Sequence, residues 1–520
     1  MLLMKWFTFL LSFSSAIAAE RYVSPTGNNN ADGAEATPWK TIQKAANTAA
    51  PGDIVYVKAG TYVEYVKINR SGTATQPILF RNYPGDTVII DPNDAQINAN
   101  NEAVITIRNQ SHIIVQGFTV EDLRYRGTER TPVGILVESE GSSTVTNVQL
   151  RGNTVRKIYN NYAVLGSFDA NAHGIAVFGG SSVAISELII DGNEVYDLRL
   201  GASEAVVVNG NINGFRITNN RVHHCNNIAI DVIGFEGVGP TLAKDRARNG
   251  IVAGNLVYAV DSSFNPAYNG SLTTGGGDTA AAGIYVDGGR NCVVERNEVH
   301  SCNFGIEVAS EAINGEVNDI IVRNNLLHHN QSAGIILGGF EQELGTTTDC
   351  QFNNNTLYQN GTRFPDDGQI ILQYNVDNCV FRNNIIVSHS DSEVILRQDD
   401  RDTIANSNVF SHNLYWASNG LPPKFLMGEL GTFTGLSAWQ AAQAAWPDTT
   451  GRETGSSVAD PRFTELEPTQ VSPATAYHLR ADSPAIDTAR PNYNVANNER
   501  DFFNDLRKKA TQVDRGAAEQ

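Results

Sequence analysis

An asparagine recurs at one place in a short repeated pattern, and no other feature limits the fold so strongly. The pattern reads Leu150-Arg-Gly-Asn153-Thr-Val155, Ile190-Asp-Gly-Asn193-Glu-Val195, Ile217-Thr-Asn-Asn220-Arg-Val222 and Val252-Ala-Gly-Asn255-Leu-Val257. It continues through Val294-Glu-Arg-Asn297-Glu-Val299, Val322-Arg-Asn-Asn325-Leu-Leu327, Phe352-Asn-Asn-Asn355-Thr-Leu357, Phe381-Arg-Asn-Asn384-Ile-Ile386 and Val409-Phe-Ser-His-Asn413-Leu414. Successive asparagines lie 40, 27, 35, 42, 28, 30, 29 and 29 residues apart. A constant local pattern with variable spacing describes coils that carry insertions, as in a parallel β-helix solenoid. Short strands with β-branched inward residues supply the coil, and the asparagine sits at a bend where its amide replaces backbone hydrogen bonds and stacks on the next coil. Leucine-rich repeats need a shorter period, and helical repeats need a 3.6-residue period that is absent.

An open solenoid exposes sheet edges and needs caps. Thr41 to Ala50, ended by Pro51-Gly52, reads as a helical N-terminal cap, and Ser437 to Trp446, ended by Pro447, as a second short helix. The 520 residues contain no long Pro- or Ser-rich linker, so one domain of about 10–12 coils is expected. Residues 20–65 are the N-terminal cap and first coil, 66–415 the central coils, 416–460 an insertion with the short helix, and 461–520 the final coil and an irregular C-terminal cap. Ahead of them, Lys5, the apolar run Trp6 to Phe13 and Ala16-Ile17-Ala18 form a secretory signal pattern over residues 1–18, which predicts export to the periplasm or beyond the cell. The apolar run is too short to span a bilayer.

The formal net charge is −18, from 38 Lys plus Arg against 56 Asp plus Glu. That balance argues against nucleic acid and against docking on an anionic membrane. An acidic polymer would need a bridging cation or a local basic patch. The five cysteines, Cys225, Cys292, Cys302, Cys350 and Cys379, include no CxxC pair and read as small buried apolar residues.

A second repeated strand, Gly/Ala-Ile-x-Val-x, places its x residues on the outer face. The first outward column reads Ala176, Val207, Asp231, Tyr285, Glu307, Ile336, Ile371, and the second Phe178, Asn209, Ile233, Asp287, Ala309, Gly338, Gln373. Three acids and a tyrosine therefore meet on consecutive coils. With coils ~4.8 Å apart, Asp231 and Glu307 lie roughly 10 Å apart at the backbone, and Asp287 roughly 8 Å from each. Glu236 and Glu311 follow these strands in turns, Lys244-Asp-Arg-Ala-Arg248 is the densest basic run, and Asn265 to Asp278 is long enough to wall a cleft. His173 and Arg290 flank neighbouring strands, whereas His223-His224 and His328-His329 read as ordinary loop residues without metal-like spacing.

Tyr22-Val-Ser-Pro-Thr-Gly27, Pro38-Trp-Lys-Thr-Ile-Gln43, Pro51-Gly-Asp-Ile-Val-Tyr-Val57 and Gly60-Thr-Tyr62 resemble the start of secreted right-handed parallel β-helix proteins of the pectate-lyase-like superfamily, especially those grouped with family 9 pectate lyases. Ser483-Pro-Ala-Ile-Asp487 and Asp514-Arg-Gly516 resemble their closing segment. The resemblance implies an all-β, right-handed β-helix and a polysaccharide lyase acting by Ca²⁺-assisted β-elimination on a uronate glycan. Asp231, Asp287, Glu307 and Glu311 are the acids available to hold Ca²⁺, with Lys244, Arg246, Arg248 or Tyr285 as base. The lyase is the expected function, and the residues alone favour the alternative, inverting glycoside hydrolysis by the same acids without a metal. Tyr285 or Phe235 would then be a sugar platform, and Arg246, Arg290 and His173 further substrate contacts. A non-catalytic glycan-binding solenoid is the third reading. The expected partner is a polysaccharide or oligosaccharide, bound by a monomer.

Overall fold

The computed structural model describes residues 18–520 apart from 94–96, 98–101, 399–407, 444–452, 492, 494, 497, 510 and 511. The signal pattern thus lies outside the described residues, except for its last position. Three sheets of thirteen strands each run the length of the chain, with a short fourth sheet of three strands beside them. The order within each sheet skips regularly, because each coil contributes one strand to every sheet. Strand pairing is parallel throughout the coils, and the last pair of the second sheet, Lys424–Met427 with Gly431–Thr434, is antiparallel. Thirteen strands per sheet exceed the ten to twelve coils expected. The early strands Glu20–Val23, Ile54–Val57, Ile78–Asn82 and Ile113–Gln116 precede the first marker asparagine and carry no such signal.

The asparagine ladder is continuous. Asn193 Nδ2 donates back to the Leu150 carbonyl at 2.9 Å and forward to Asn220 Oδ1 at 3.0 Å, and its Oδ1 accepts from the N–H and Nδ2 of Asn153, both at 3.0 Å. The same scheme repeats from coil to coil up to Asn413. The ladder thus gives partners to the asparagine N–H and to the carbonyl three residues before the preceding asparagine, as buried backbone groups require. The residue before each ladder asparagine has a left-handed backbone: Gly152, Gly192, Asn219, Gly254, Arg296, Asn324, Asn354, Asn383 and His412. Glycine and asparagine adopt that conformation most readily, which is why the bends read Gly-Asn and Asn-Asn.

The core fills the solenoid with stacked aliphatic residues and, towards the C-terminal end, with Phe352, Phe381 and Phe410, whose rings stack 4.6 and 4.5 Å apart. All five cysteines are buried, unpaired thiols. The N-terminal helix spans Ile42–Thr48 with Thr41 as its cap, and its Ile42, Ala45 and Ala46 close the core. The second helix spans Leu436–Gln443, so the end expected for it at Trp446 falls outside the described residues. Among the described residues no helix is long and apolar enough to cross a membrane.

Candidate active site

The outer face of the second sheet carries the first outward column in register. Ala176 pairs with Val207, Val207 with Asp231, Asp231 with Tyr285, Tyr285 with Glu307, Glu307 with Ile336, and Ile336 with Ile371. Asp287 stands two residues along the strand from Tyr285, opposite Ala309.

Alternation says outward, but outward here is not solvent. Asp231 is 2% exposed, Tyr285 2% and Asp287 5%, while Glu307 is partly buried. Insertions on both sides of the strands fold over them. On one side Asp261 to Ala281 loops out of its coil, and the buried Asn265 pins it down by donating to the carbonyls of Gly201 at 2.7 Å and Asn226 at 2.9 Å. This segment, expected as a cleft wall, brings Tyr268 over the acids; its hydroxyl is pushed up by burial and by the charges of Glu311, Glu204 and Glu307. On the other side Asp245 accepts from the N–H groups of Gly237 at 2.5 Å and Gly239 at 2.6 Å, folding the turn that carries Phe235 and Glu236.

Six carboxyl groups cluster here: Asp231 and Asp287 are buried, Glu204 and Glu307 are partly buried, and Glu236 and Glu311 stand exposed at the rim. Burial is the first cause of the raised proton affinity of each, and for Asp231, Asp287 and Glu204 the rise is well above the usual range. The other acids add to it, and Glu307 is pushed up to about 8 by burial and then by Glu311. No cation is among the largest influences on these six, and the His173 imidazole, 3.5 Å from Glu204 Oε2, is kept neutral by burial. Asp287 Oδ1 accepts the Glu311 N–H at 2.9 Å, which favours its ionised form against the burial. Tyr285 donates its hydroxyl to Glu311 Oε1 at 3.4 Å, and Asn209 Nδ2 donates to Glu236 Oε2 at 2.7 Å. Asp231 Oδ1 is buried and has no hydrogen-bond partner.

The basic run does not join the acids. Lys244 is exposed, and its ammonium donates to the Ser182 carbonyl at 2.9 Å. Arg246 is 5% exposed and uses its guanidinium on the carbonyls of Gly288, Gly289 and Glu316 and on Glu316 Oε1. Arg248 donates to the Arg246 carbonyl and to Asn211 Oδ1, both at 3.0 Å. Arg290 faces Asp319 at 3.5 Å. All four thus make their contacts with neighbouring coils and not with the six acids. The Phe235 ring lies under the Arg246 guanidinium at 4.9 Å, and Tyr285 is too enclosed to offer a face to a sugar. Burial likewise raises the Tyr285 phenol far above its ordinary value, which favours the hydroxyl that donates to Glu311. His173 is buried at the lower end of the enclosure, donates Nδ1–H to the Glu204 carbonyl at 3.1 Å, and is pushed down to about 4 by burial.

Ca²⁺ needs several oxygens about 2.3–2.6 Å from one centre. Among the described residues, the only three metal-ligating side chains with donor atoms within 4.8 Å of one another are Glu298, His300 and His328. Asp231, Asp287, Glu307 and Glu311 are therefore not gathered into a cation cage, although an acid-only donor set suits the ion chemically. Glu204 and Tyr268 were not legible as site residues. Glu204 stands one residue ahead of the repeated strand pattern, which begins at Ala205, and Tyr268 arrives from an insertion.

Past Glu307 the column continues into a cleft of about 240 Å³ lined by Phe304, Ile336, Phe364, Ile371, Gln373 and Arg397, among others. On the far side of the acids a second cleft of about 220 Å³ lies over Lys67, Thr106 and Leu136, residues of the same column. The acids thus occupy the middle of one long face.

A family model described as the Pel9A-like right-handed β-helix region matches residues 21–164, and a general right-handed β-helix model matches residues 93–344. The first match ends before any of the six acids. Uncharacterized protein YwoF of Bacillus subtilis is 36% identical over 395 residues, covering 76% of this chain and 79% of its own. Pectate lyase PEL9 of Emericella nidulans is 40% identical over 85 residues, covering 16% of this chain and 21% of its own. Among solved structures, the native GH136 lacto-N-biosidase from Eubacterium ramulus superposes with a TM-score of 0.50 at 12% identity, over 77% of this chain and 64% of that one. At that identity the likeness speaks for the β-helix fold alone.

Proposed function

The chain belongs to the family of Pel9A-like right-handed β-helix proteins, and on that premise we propose that it is an exported enzyme that hydrolyses a glycosidic bond with Glu307 and Asp287. The observation that carries the reading is a cluster of six carboxyl groups, the central ones buried, whose proton affinities are raised by burial and by one another. Raised proton affinities clustered in one place are a mark of functional sites, and proton affinities shifted this way are what acid–base catalysis needs. The N-terminal pattern of residues 1–18 supports export.

Glu307, held up to about 8, keeps its proton at neutral pH and protonates the leaving oxygen. Asp287 has its own proton affinity raised by burial, against which the Glu311 N–H acts, so it takes a proton from the attacking water when the protons of the set lie on its neighbours. The six acids titrate together, so these roles belong to the protonation state of the set. One strand step and two residues separate the pair by roughly 8 Å at the backbone, which leaves room between the side chains for a water. Asp231, with an unpartnered oxygen, is left to bind a substrate hydroxyl. Tyr285 positions Glu311. The cleft beyond Glu307, with Ile336 and Ile371 as floor and Phe304 and Phe364 beside them, is where neighbouring sugars would lie. None of Lys244, Arg246, Arg248 and Arg290 reaches the acids to pair with a uronate carboxylate, so a neutral glycan is the substrate class this reading takes. No step is assigned to Ca²⁺, because the donors are not gathered for it.

A second reading, β-elimination on a uronate glycan, is favoured by the family and by the partial likeness to a protein named pectate lyase. A panel of neutral glycans and polyuronates separates the two. Hydrolysis predicts new reducing ends on a neutral glycan, no unsaturated-uronate absorbance, and an unchanged rate in EDTA. Absorbance growing on a polyuronate and abolished by EDTA would replace this reading with the lyase.

A further inference from the structure

The third sheet carries a column of stacked rings on its outer face: Tyr196, His223, Tyr258, His300 and His328, each over the next at 4.7–5.3 Å. Two bends on this column share one construction. In the first, Glu194 and Tyr196 lie on one strand, and Arg221 and His223, followed by His224, lie opposite them on the next. In the second, Glu298 and His300 lie on one strand, and Leu326 and His328, followed by His329, lie opposite. In both, the second histidine has a left-handed backbone and turns its Nδ1 onto the first, at 2.8 Å for His223 and His224 and 3.0 Å for His328 and His329. In both, Nε2 of the first histidine faces a glutamate, at 3.4 Å for Glu194 and 3.3 Å for Glu298.

The two bends differ in what answers the glutamate charge. Arg221 reaches Glu194 at 3.5 Å. Leucine stands in the corresponding place beside Glu298, and the ring that is Tyr196 in the first bend is a second imidazole, His300, in the other. Substitution thus removes a cation and supplies a metal ligand at the same bend.

The hydrogen bonds sharpen this. Nδ1 of His328 and Nδ1 of His329 face each other at 3.0 Å, so one ring donates there and the other accepts. When His328 is the donor, its Nε2 is a lone pair aimed at Glu298 Oε1, and with Glu298 ionised two acceptors meet at 3.3 Å in a place where His328 is wholly buried. His300 uses Nδ1 on the Ser301 hydroxyl at 3.1 Å, keeping Nε2 for another partner. Tyr477 closes the column over His328 at 5.0 Å, and its buried hydroxyl has no partner.

We propose that Glu298, His300 and His328 bind a divalent transition-metal ion of the zinc class, which fills the gap between the facing His328 and Glu298 acceptors. Their donor atoms lie within 4.8 Å of one another, as ligands of one ion must. Two imidazoles and one carboxylate leave one position for water. The ion joins two coils beneath the C-terminal segment that carries Tyr477, on a different sheet from the acids, and is independent of the proposed hydrolysis.

The test uses the full chain, stripped with chelator, loaded with Zn²⁺ and dialysed against metal-free buffer. One equivalent of zinc is expected to remain and to raise the thermal midpoint. His300→Tyr copies the ring found in the first bend, so it keeps the stack, and it is expected to retain no zinc and show no thermal shift. Glu298→Gln gives the same reading should the tyrosine variant misfold. Absence of retained zinc in the folded wild type would mean that a proton on Glu298 fills the gap, and would overturn the proposal, as would an equivalent retained undiminished by both variants.

Discussion

Replacing Glu307 by glutamine is expected to lower kcat by about 100- to 10,000-fold with little change in KM, the range lost when a general acid is removed. Glutamine has the same shape and binds sugar hydroxyls, but it has no proton to give to the leaving oxygen. The wild-type rate should fall as pH rises through about 8, where Glu307 loses its proton, and the residual rate of the variant should lack that limb. Stability follows the same group with a definite sign. The folded-state proton affinity is raised, so the stabilisation is fully present below the ordinary value of 4.5 and is lost as pH rises through about 8. The thermal midpoint of the wild type should therefore decline across that window, and that of the variant should decline less. A variant with full activity, or with an unchanged alkaline limb, would remove Glu307 from the reaction.

The second large effect concerns the ladder. Asn297 is fully buried, and its amide makes four hydrogen bonds: Nδ2 to the Val252 carbonyl and to Asn325 Oδ1, and Oδ1 from the N–H and Nδ2 of Asn255. Asn297→Ala leaves the Asn255 N–H and the Val252 carbonyl without partners in a place water does not reach. Each such orphan costs about 1–3 kcal/mol, so a loss of about 2–5 kcal/mol is expected from urea denaturation with an unchanged slope. Asn213 is an exposed asparagine that accepts from Asn249. Asn213→Ala is expected to stay within about 0.5 kcal/mol, as surface changes do. Equal effects at the two positions would show that the ladder carries no special stability.

The ladder also explains what was legible in the sequence. One residue type performs one task at each bend, so the coil boundaries from Asn153 to Asn413 and the register of Asp231, Tyr285 and Glu307 follow from it directly. The environment of those residues does not follow. Strand alternation distinguishes the inside of the solenoid from its outer face, but the insertions Asp261 to Ala281 and Gly234 to Asp245 decide that the outer face is enclosed there. The basic run near the acids in sequence turns away because Arg246 finds three carbonyls and Glu316 in the neighbouring coils. His328 and His329 carry no recognisable ligand spacing either, since the residues facing them, Glu298 and His300, come from the coil below.

The central claim is that carboxyl groups alone cleave the glycan by adding water. The mass balance of the products tests it most directly. After digestion of a defined oligosaccharide by the wild-type protein, the two fragments should together weigh the substrate plus one water. Fragments that sum to the substrate itself, one of them unsaturated, would show elimination and contradict the claim.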